Sequence, residues 1–175
     1  MPGLAVVTIS DRCSAGLQED TAGPAVGRVL LEHWAGLGPE AAAHLGPGQT
    51  VGRGLVPDNE DAIVTLLREL CAQGYHLVLT AGGTGLSPRD VTPEATRRVI
   101  DREVPGLAEA MRSIGAQSFR YAWLSRAVAG LAGRTLIVNL PGSEKGAVES
   151  LTAILPLLPH ALDVVAGGSI HPLHG

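Results

Sequence analysis

The sequence predicts an α/β protein, a three-layer α/β/α sandwich around a mostly parallel sheet with one antiparallel hairpin at its side. Three observations carry this. Short apolar runs alternate with stretches of helical period, and the runs are near-continuous, as in strands buried on both faces. Hydrophobic residues make up 45% of the 175, yet there are only two Trp, two Tyr and one Phe, so the core is aliphatic. Loops rich in glycine, hydroxyls and charge follow the runs, and open α/β sheets bind ligands at the carboxyl ends of their strands.

The strands are Leu4–Ile9, Val51–Val56, His76–Thr80 and Thr135–Asn139. Val26, Val29, Leu30, His33 and Trp34 share the face of a first helix, and His33 there reads as a packed core residue. Ile63, Leu66, Leu67, Leu70 and Cys71 share the face of a second, with Gly74 placed to stop it. Thr92-Pro93 reads as an N-cap and first-turn proline, opening a helix that must end before Pro105. Leu107, Ala110, Met111 and Ile114 mark the next helix. Ala127–Leu131 and Thr135–Leu140, joined by Ala132-Gly133-Arg134, form the hairpin. A last helical stretch, Ala147 to Ala166, is broken or kinked by Pro156 and Pro159. Residues 1–166 thus read as one domain and 167–175 as a loose tail, with Pro39–Thr50 the most flexible internal stretch.

A net charge of −4 and the lack of any basic run argue against a nucleic-acid partner. The N-terminal MPGLAVVTIS has no basic and apolar signal-peptide pattern, and no run approaches the ~18 apolar residues that span a bilayer. Two cysteines make no disulfide framework: Cys71 reads as a core residue and Cys13 as a loop thiol. These features point to a cytoplasmic protein with no membrane association. His171 and His174 have ligand spacing but lie on the tail without a third ligand.

Three loops carry chemistry. Ser10 to Gly16, continuing to Glu19-Asp20 and Gly23-Pro24, follows the first strand. Gly82-Gly83-Thr84-Gly85 and Arg89-Asp90 follow the third, and Pro141-Gly142-Ser143-Glu144-Lys145-Gly146 follows the hairpin. Glycine lets backbone N–H groups approach a ligand, and hydroxyls and a lysine add donors for anionic oxygens, so a phosphorylated small molecule suits this edge. GGTG alone also suits a plain tight turn. No G-K-[ST] and no G-x-G-x-x-G occurs, which disfavours P-loop and dinucleotide enzymes. Asp58 and Asp90 fall at the same rim, where two carboxylates facing phosphates make sense with Mg²⁺ between them. The alternatives are an N-cap role for Asp58 and, for Asp90, a cap or a pair with Arg89. Ser125-Arg126 opens the hairpin, where a surface position is the default.

Together the motifs SDRxSxGxxEDxxGP from Ser10, VPD from Val56, LTAGGTGLSPRDVTPEAT from Leu79, ExPG from Glu103, LSR from Leu124 and NLPGS from Asn139 carry a resemblance. The chain resembles the molybdenum-cofactor biosynthesis family that includes the MogA and MoaB proteins and the G domain of gephyrin, over residues 4–166. The resemblance implies the molybdopterin-binding fold and Mg-ATP-dependent adenylylation of molybdopterin, with release of pyrophosphate. It implies Mg²⁺-binding, catalytic roles for Asp58 and Asp90, and pterin or phosphate contacts from Thr84, Ser125 and Asn139. Gly82, Gly83 and Gly85 would offer backbone contacts, with Pro141 and Gly142 beside them, while Ser14, Ser143 and Lys145 would surround anionic groups. Glu144 departs from the family pattern by adding a negative charge there. A homotrimer and a molybdenum-insertion enzyme as partner are implied too. The alternative is a MoaB-type carrier that holds molybdopterin without adenylating it.

Overall fold

The computed structural model describes residues 3–37 and 51–167. The stretch Pro39–Thr50, the tail from 168 onward and its His171 and His174 lie outside the described residues.

Six strands form one sheet in the order β2-β1-β3-β6-β5-β4, from β1 (Leu4–Ile9), β2 (Val51–Val56), β3 (Leu77–Ala81), β4 (Arg102–Glu103), β5 (Ala129–Ala132) and β6 (Thr135–Leu140). β2-β1-β3-β6 are parallel, and β6-β5-β4 are antiparallel. β1, β3 and β6 are buried at every residue, which explains their unbroken apolar runs. β2 departs from that expectation: as the sheet edge it is half-exposed, with Arg53 and Leu55 facing out. β3 begins one residue later than predicted.

Side chains alternate between two cores. Leu4, Val6, Leu77, Leu79, Leu136 and Val138 face α2 (Ala22–Gly36), α5 (Pro105–Ser118), α6 (Glu144–Ile154) and α7 (Leu158–Ala166). Ala5, Val7, Val78 and Ile137 face α3 (Glu60–Ala72) and α4 (Thr92–Arg97). A four-residue helix, α1 (Asp11–Ser14), follows β1. His33 is half-buried, edge-on to the Trp34 ring at 5.4 Å, rather than fully in the core.

α4 ends at Arg97, before Pro105 as expected, and residues 101–104 line β5: Asp101 N donates to Leu131 O at 2.6 Å and Val104 N to Ala129 O at 2.7 Å. Thr92 is the first helical residue, not the cap; its Oγ1 donates to Gly82 O at 2.8 Å. The proline break is present as a 3₁₀ turn, Leu155–Leu157, between α6 and α7. The helical stretch Glu144–Ala166, 23 residues long, holds an 18-residue window of mean hydropathy 1.4, enough by length and composition alone to cross a membrane. Its Ala147, Leu151, Ile154, Leu158 and Leu162 instead pack in the core.

Candidate functional site

The chain leaves β1 toward one edge of the sheet, and β3 lies on its other side, so the carboxyl ends of β1 and β3 flank a topological switch point. Gly82 and Gly83 turn there with φ +121° and +65°. A Cβ on Gly82 would stand 2.1 Å from Ile9 O, and one on Gly83 would stand 2.2 Å from Thr92 Oγ1 and 3.2 Å from Asp58 Oδ1. Only glycine permits this approach, so the Asp58 carboxylate faces the cradle directly.

Asp58 does not cap α3; Asn59 does, its Oδ1 accepting from Ala62 N at 2.9 Å. Asp58 instead forms a reciprocal pair with Asp11. Asp11 N donates to Asp58 Oδ2 at 2.9 Å and Asp58 N donates to Asp11 Oδ1 at 3.0 Å. Burial pushes the Asp58 carboxyl above its ordinary range, and the charges of Asp11 and Asp90 add to the rise, against the Asp11 N–H and Arg89. Asp90 is neither a cap nor Arg89's partner. Its Oδ2 accepts from Ser87 N at 3.0 Å, while Arg89 pairs with Asp11. Arg89 thereby ties the loop after β3 to the loop after β1 and leaves Asp90 facing the cleft.

Two adjoining clefts share Gly83, Asp90 and Gly142. The smaller, about 190 Å³, is polar and acidic, walled by Ser10, Cys13, Glu19, Asp20, Asp58 and Gly82. Asp20 is engaged there, accepting from Thr8 Oγ1 at 2.8 Å and Gly23 N at 3.0 Å. The larger, about 560 Å³, is lined by Thr84, Gly85, Ser125, Pro141 and Ser143 among the residues predicted, and by Leu86, Phe119, Tyr121 and Leu124.

Three predicted residues stand apart from both clefts. Asn139 is fully buried, accepting from Val128 N at 3.1 Å and donating to Thr80 Oγ1 at 3.0 Å and Thr96 Oγ1 at 2.9 Å. Both its donors and its acceptor are occupied in joining β6 to β3, to α4 and to Val128 just before β5. Ser14 turns back to donate to Asp11 O at 3.0 Å. Lys145 is 85% exposed and pairs with Glu149 at 3.8 Å. Ser143 caps α6, its Oγ accepting from Gly146 N at 3.2 Å.

The sequence reading missed Asp11 and the apolar wall of the larger cleft. The wall had a signal: the chain's one Phe, one of its two Tyr and one of its two Trp fall together at 119–123, at the start of and within the 3₁₀ turn Arg120–Leu124.

The family model described as a probable molybdopterin binding domain matches residues 5–160. The molybdopterin adenylyltransferase of Helicobacter pylori is 37% identical over 165 residues, covering 94% of this chain and 88% of that one. The molybdenum cofactor synthesis protein cinnamon of Drosophila melanogaster is 40% identical over 161 residues; the chain spans a quarter of its length, 25%, with 91% of this chain covered. Among solved structures, a molybdopterin biosynthesis enzyme MoaB from Thermus is 46% identical with TM-score 0.80, covering 98% of this chain and 100% of that one. A MogA structure is 36% identical with TM-score 0.82, covering 93% and 99%. With the fold, the match along most of its length and these relatives in agreement, the chain belongs to the MogA, MoaB and gephyrin-type family of molybdenum cofactor synthesis proteins.

Proposed function

We propose that this chain is a molybdopterin adenylyltransferase, transferring AMP from ATP to the terminal phosphate of molybdopterin. A phosphate oxygen of the pterin attacks the α-phosphorus, the bond to the β-phosphate breaks, and pyrophosphate leaves. The observation that carries this reading is the convergence of Asp58 and Asp90 on one cleft beside the Gly82-Gly83 cradle. A transfer of this kind needs positioning and charge neutralisation more than a protein nucleophile. The apolar wall of the larger cleft suits a flat pterin ring, and the acidic cleft suits the phosphates.

Mg²⁺ fits the donor set. Among the described residues no group of three His, Cys, Asp or Glu could hold a metal alone. Mg²⁺ commonly binds through one or two carboxylates together with substrate phosphates, and Asp58 and Asp90 are the carboxylates available. When bound, Mg²⁺ would neutralise phosphate charge; the residues' own work is to hold the loops still around it. In this reading Thr84, Ser125 and Ser143 contact the pterin or its phosphate, and Asn139 acts from behind by fixing β6. The protein works as one domain, 1–166, in the cytoplasm. It assembles as a homotrimer that delivers its product to a molybdenum-insertion enzyme. The exposed Phe119, Tyr121 and Trp123 support burial of that face in a larger assembly.

The similarity to MoaB favours a second reading, a carrier that binds molybdopterin without adenylating it. Two carboxylates at the phosphate end favour the enzyme, since they would weaken a carrier. Equilibrium binding of molybdopterin together with product formation separates the two. Asp58→Asn and Asp90→Asn should each lower turnover at least about 100-fold while molybdopterin affinity stays within about threefold. Unchanged rates would remove both carboxylates from the reaction, and a wild type that binds but never turns over would establish the carrier.

A further inference from the structure

We propose that Arg126 is a positioning residue that staples the loop carrying Thr84 and Asp90, and so sets where the Asp90 carboxylate stands. The sequence places it on the surface at the start of the hairpin, but it turns inward beneath the loop. Its backbone N donates to Thr84 O at 2.9 Å, and its Nε donates to Gly85 O at 2.7 Å. Its Nη2 donates to Asp90 O, and its Nη1 pairs with Glu94 on α4. One side chain therefore holds both ends of the 85–90 loop and the helix that follows it.

The chemistry is specific to arginine. A planar guanidinium presents five donors in a fixed fork and can serve two carbonyls and a carboxylate at once; a lysine ammonium is a point charge that cannot hold all three directions. Glu94 neutralises the charge, so Arg126 acts on the backbone rather than on an anion in the cleft. Asp90 is then fixed twice, by Arg126 at its carbonyl and by Ser87 N at its carboxylate. Ser125, the residue before Arg126, lines the larger cleft while Asp90 lines both. The staple thus also fixes the spacing between the Ser125 wall and the Asp90 carboxylate.

The effect on turnover rests on the adenylyltransferase reading; the effect on the loop does not. Hydrogen–deuterium exchange of the full chain should therefore be paired with product kinetics in Arg126→Lys and Glu94→Gln. The amides of Ser87, Arg89 and Asp90, which donate within the loop, should exchange about tenfold faster in Arg126→Lys, with β3 and β6 unchanged. In the same variant kcat should fall about 10- to 100-fold with KM for molybdopterin within about threefold. Glu94→Gln should shift both readouts in the same direction by less. Loop exchange that is unchanged in Arg126→Lys, or that rises equally in β3 and β6, would overturn the proposal. If wild type forms no molybdopterin-AMP, the adenylyltransferase reading fails while the exchange pattern still decides the staple.

Discussion

At neutral pH the Asp58 carboxylate sits half-buried between Asp11 and Asp90, held by burial and like charge above its ordinary pKa of 3.8. A raised carboxyl favours the protonated fold. The contribution is present below pH 3.8 and lost as pH rises through the folded pKa, so ionised Asp58 destabilises the protein at pH 7. Asp58→Asn keeps an oxygen to accept from Asp11 N–H and removes that charge. Its Tm should exceed wild type at pH 7, the difference closing below pH 3.8, even as turnover is lost; a lower Tm at pH 7 contradicts this. Glu94 has the opposite sign. Burial would raise its carboxyl, but the hydrogen bond and charge of Arg126 hold it below the ordinary 4.5, so the staple loosens as pH falls through the depressed value. At Gly82, φ +121° and a Cβ only 2.1 Å from Ile9 O leave no room for a side chain. Gly82→Ala should cost about 2–4 kcal/mol in urea unfolding.

Among the elements, β6 connects the site to the core. Asn139 gives it three buried hydrogen bonds, and Asn139→Ala would leave Val128 N without an acceptor, costing about 2–4 kcal/mol by denaturant unfolding. A cost under about 0.5 kcal/mol would mean that Asn139 does not hold the hairpin. The sequence reveals strands best where tertiary context is uniform: β1 lies buried between two parallel neighbours, and its five apolar residues with Thr8 mark its ends. It reveals β2 less well, because an edge strand of Val, Gly and Arg is only half-covered. β4 is two exposed residues and carries no period of its own; its pairing with β5 defines it. Pro105 marked only the limit that α4 could not pass, and the same pairing lies between that limit and the helix end at Arg97. In the site, Asp58, Asp90 and the glycines were legible because special backbone and charge after a strand are local signals. The Asp11–Arg89 tie and the Arg126 staple are contacts across 78 and 36 residues, and no local pattern encodes them.

For the whole molecule, strand order matters more than any single motif. With β1 and β3 adjacent and their connections diverging, the loops after β1, β2 and β3 gather at one end, and the hairpin brings Pro141-Gly142-Ser143 beside them. For the proposed homotrimer, sedimentation equilibrium should give a mass near three times 18.0 kDa, and a monomer at micromolar concentration contradicts it. The central claim is transfer of the α-phosphoryl group, and isotope labelling tests it most directly. With molybdopterin and Mg²⁺ present, label from [α-³²P]ATP should pass to the pterin in a wild-type reaction, while label from [γ-³²P]ATP should appear only in pyrophosphate. Label from the γ-position on the pterin, or none from the α-position on a pterin that is bound, would contradict it.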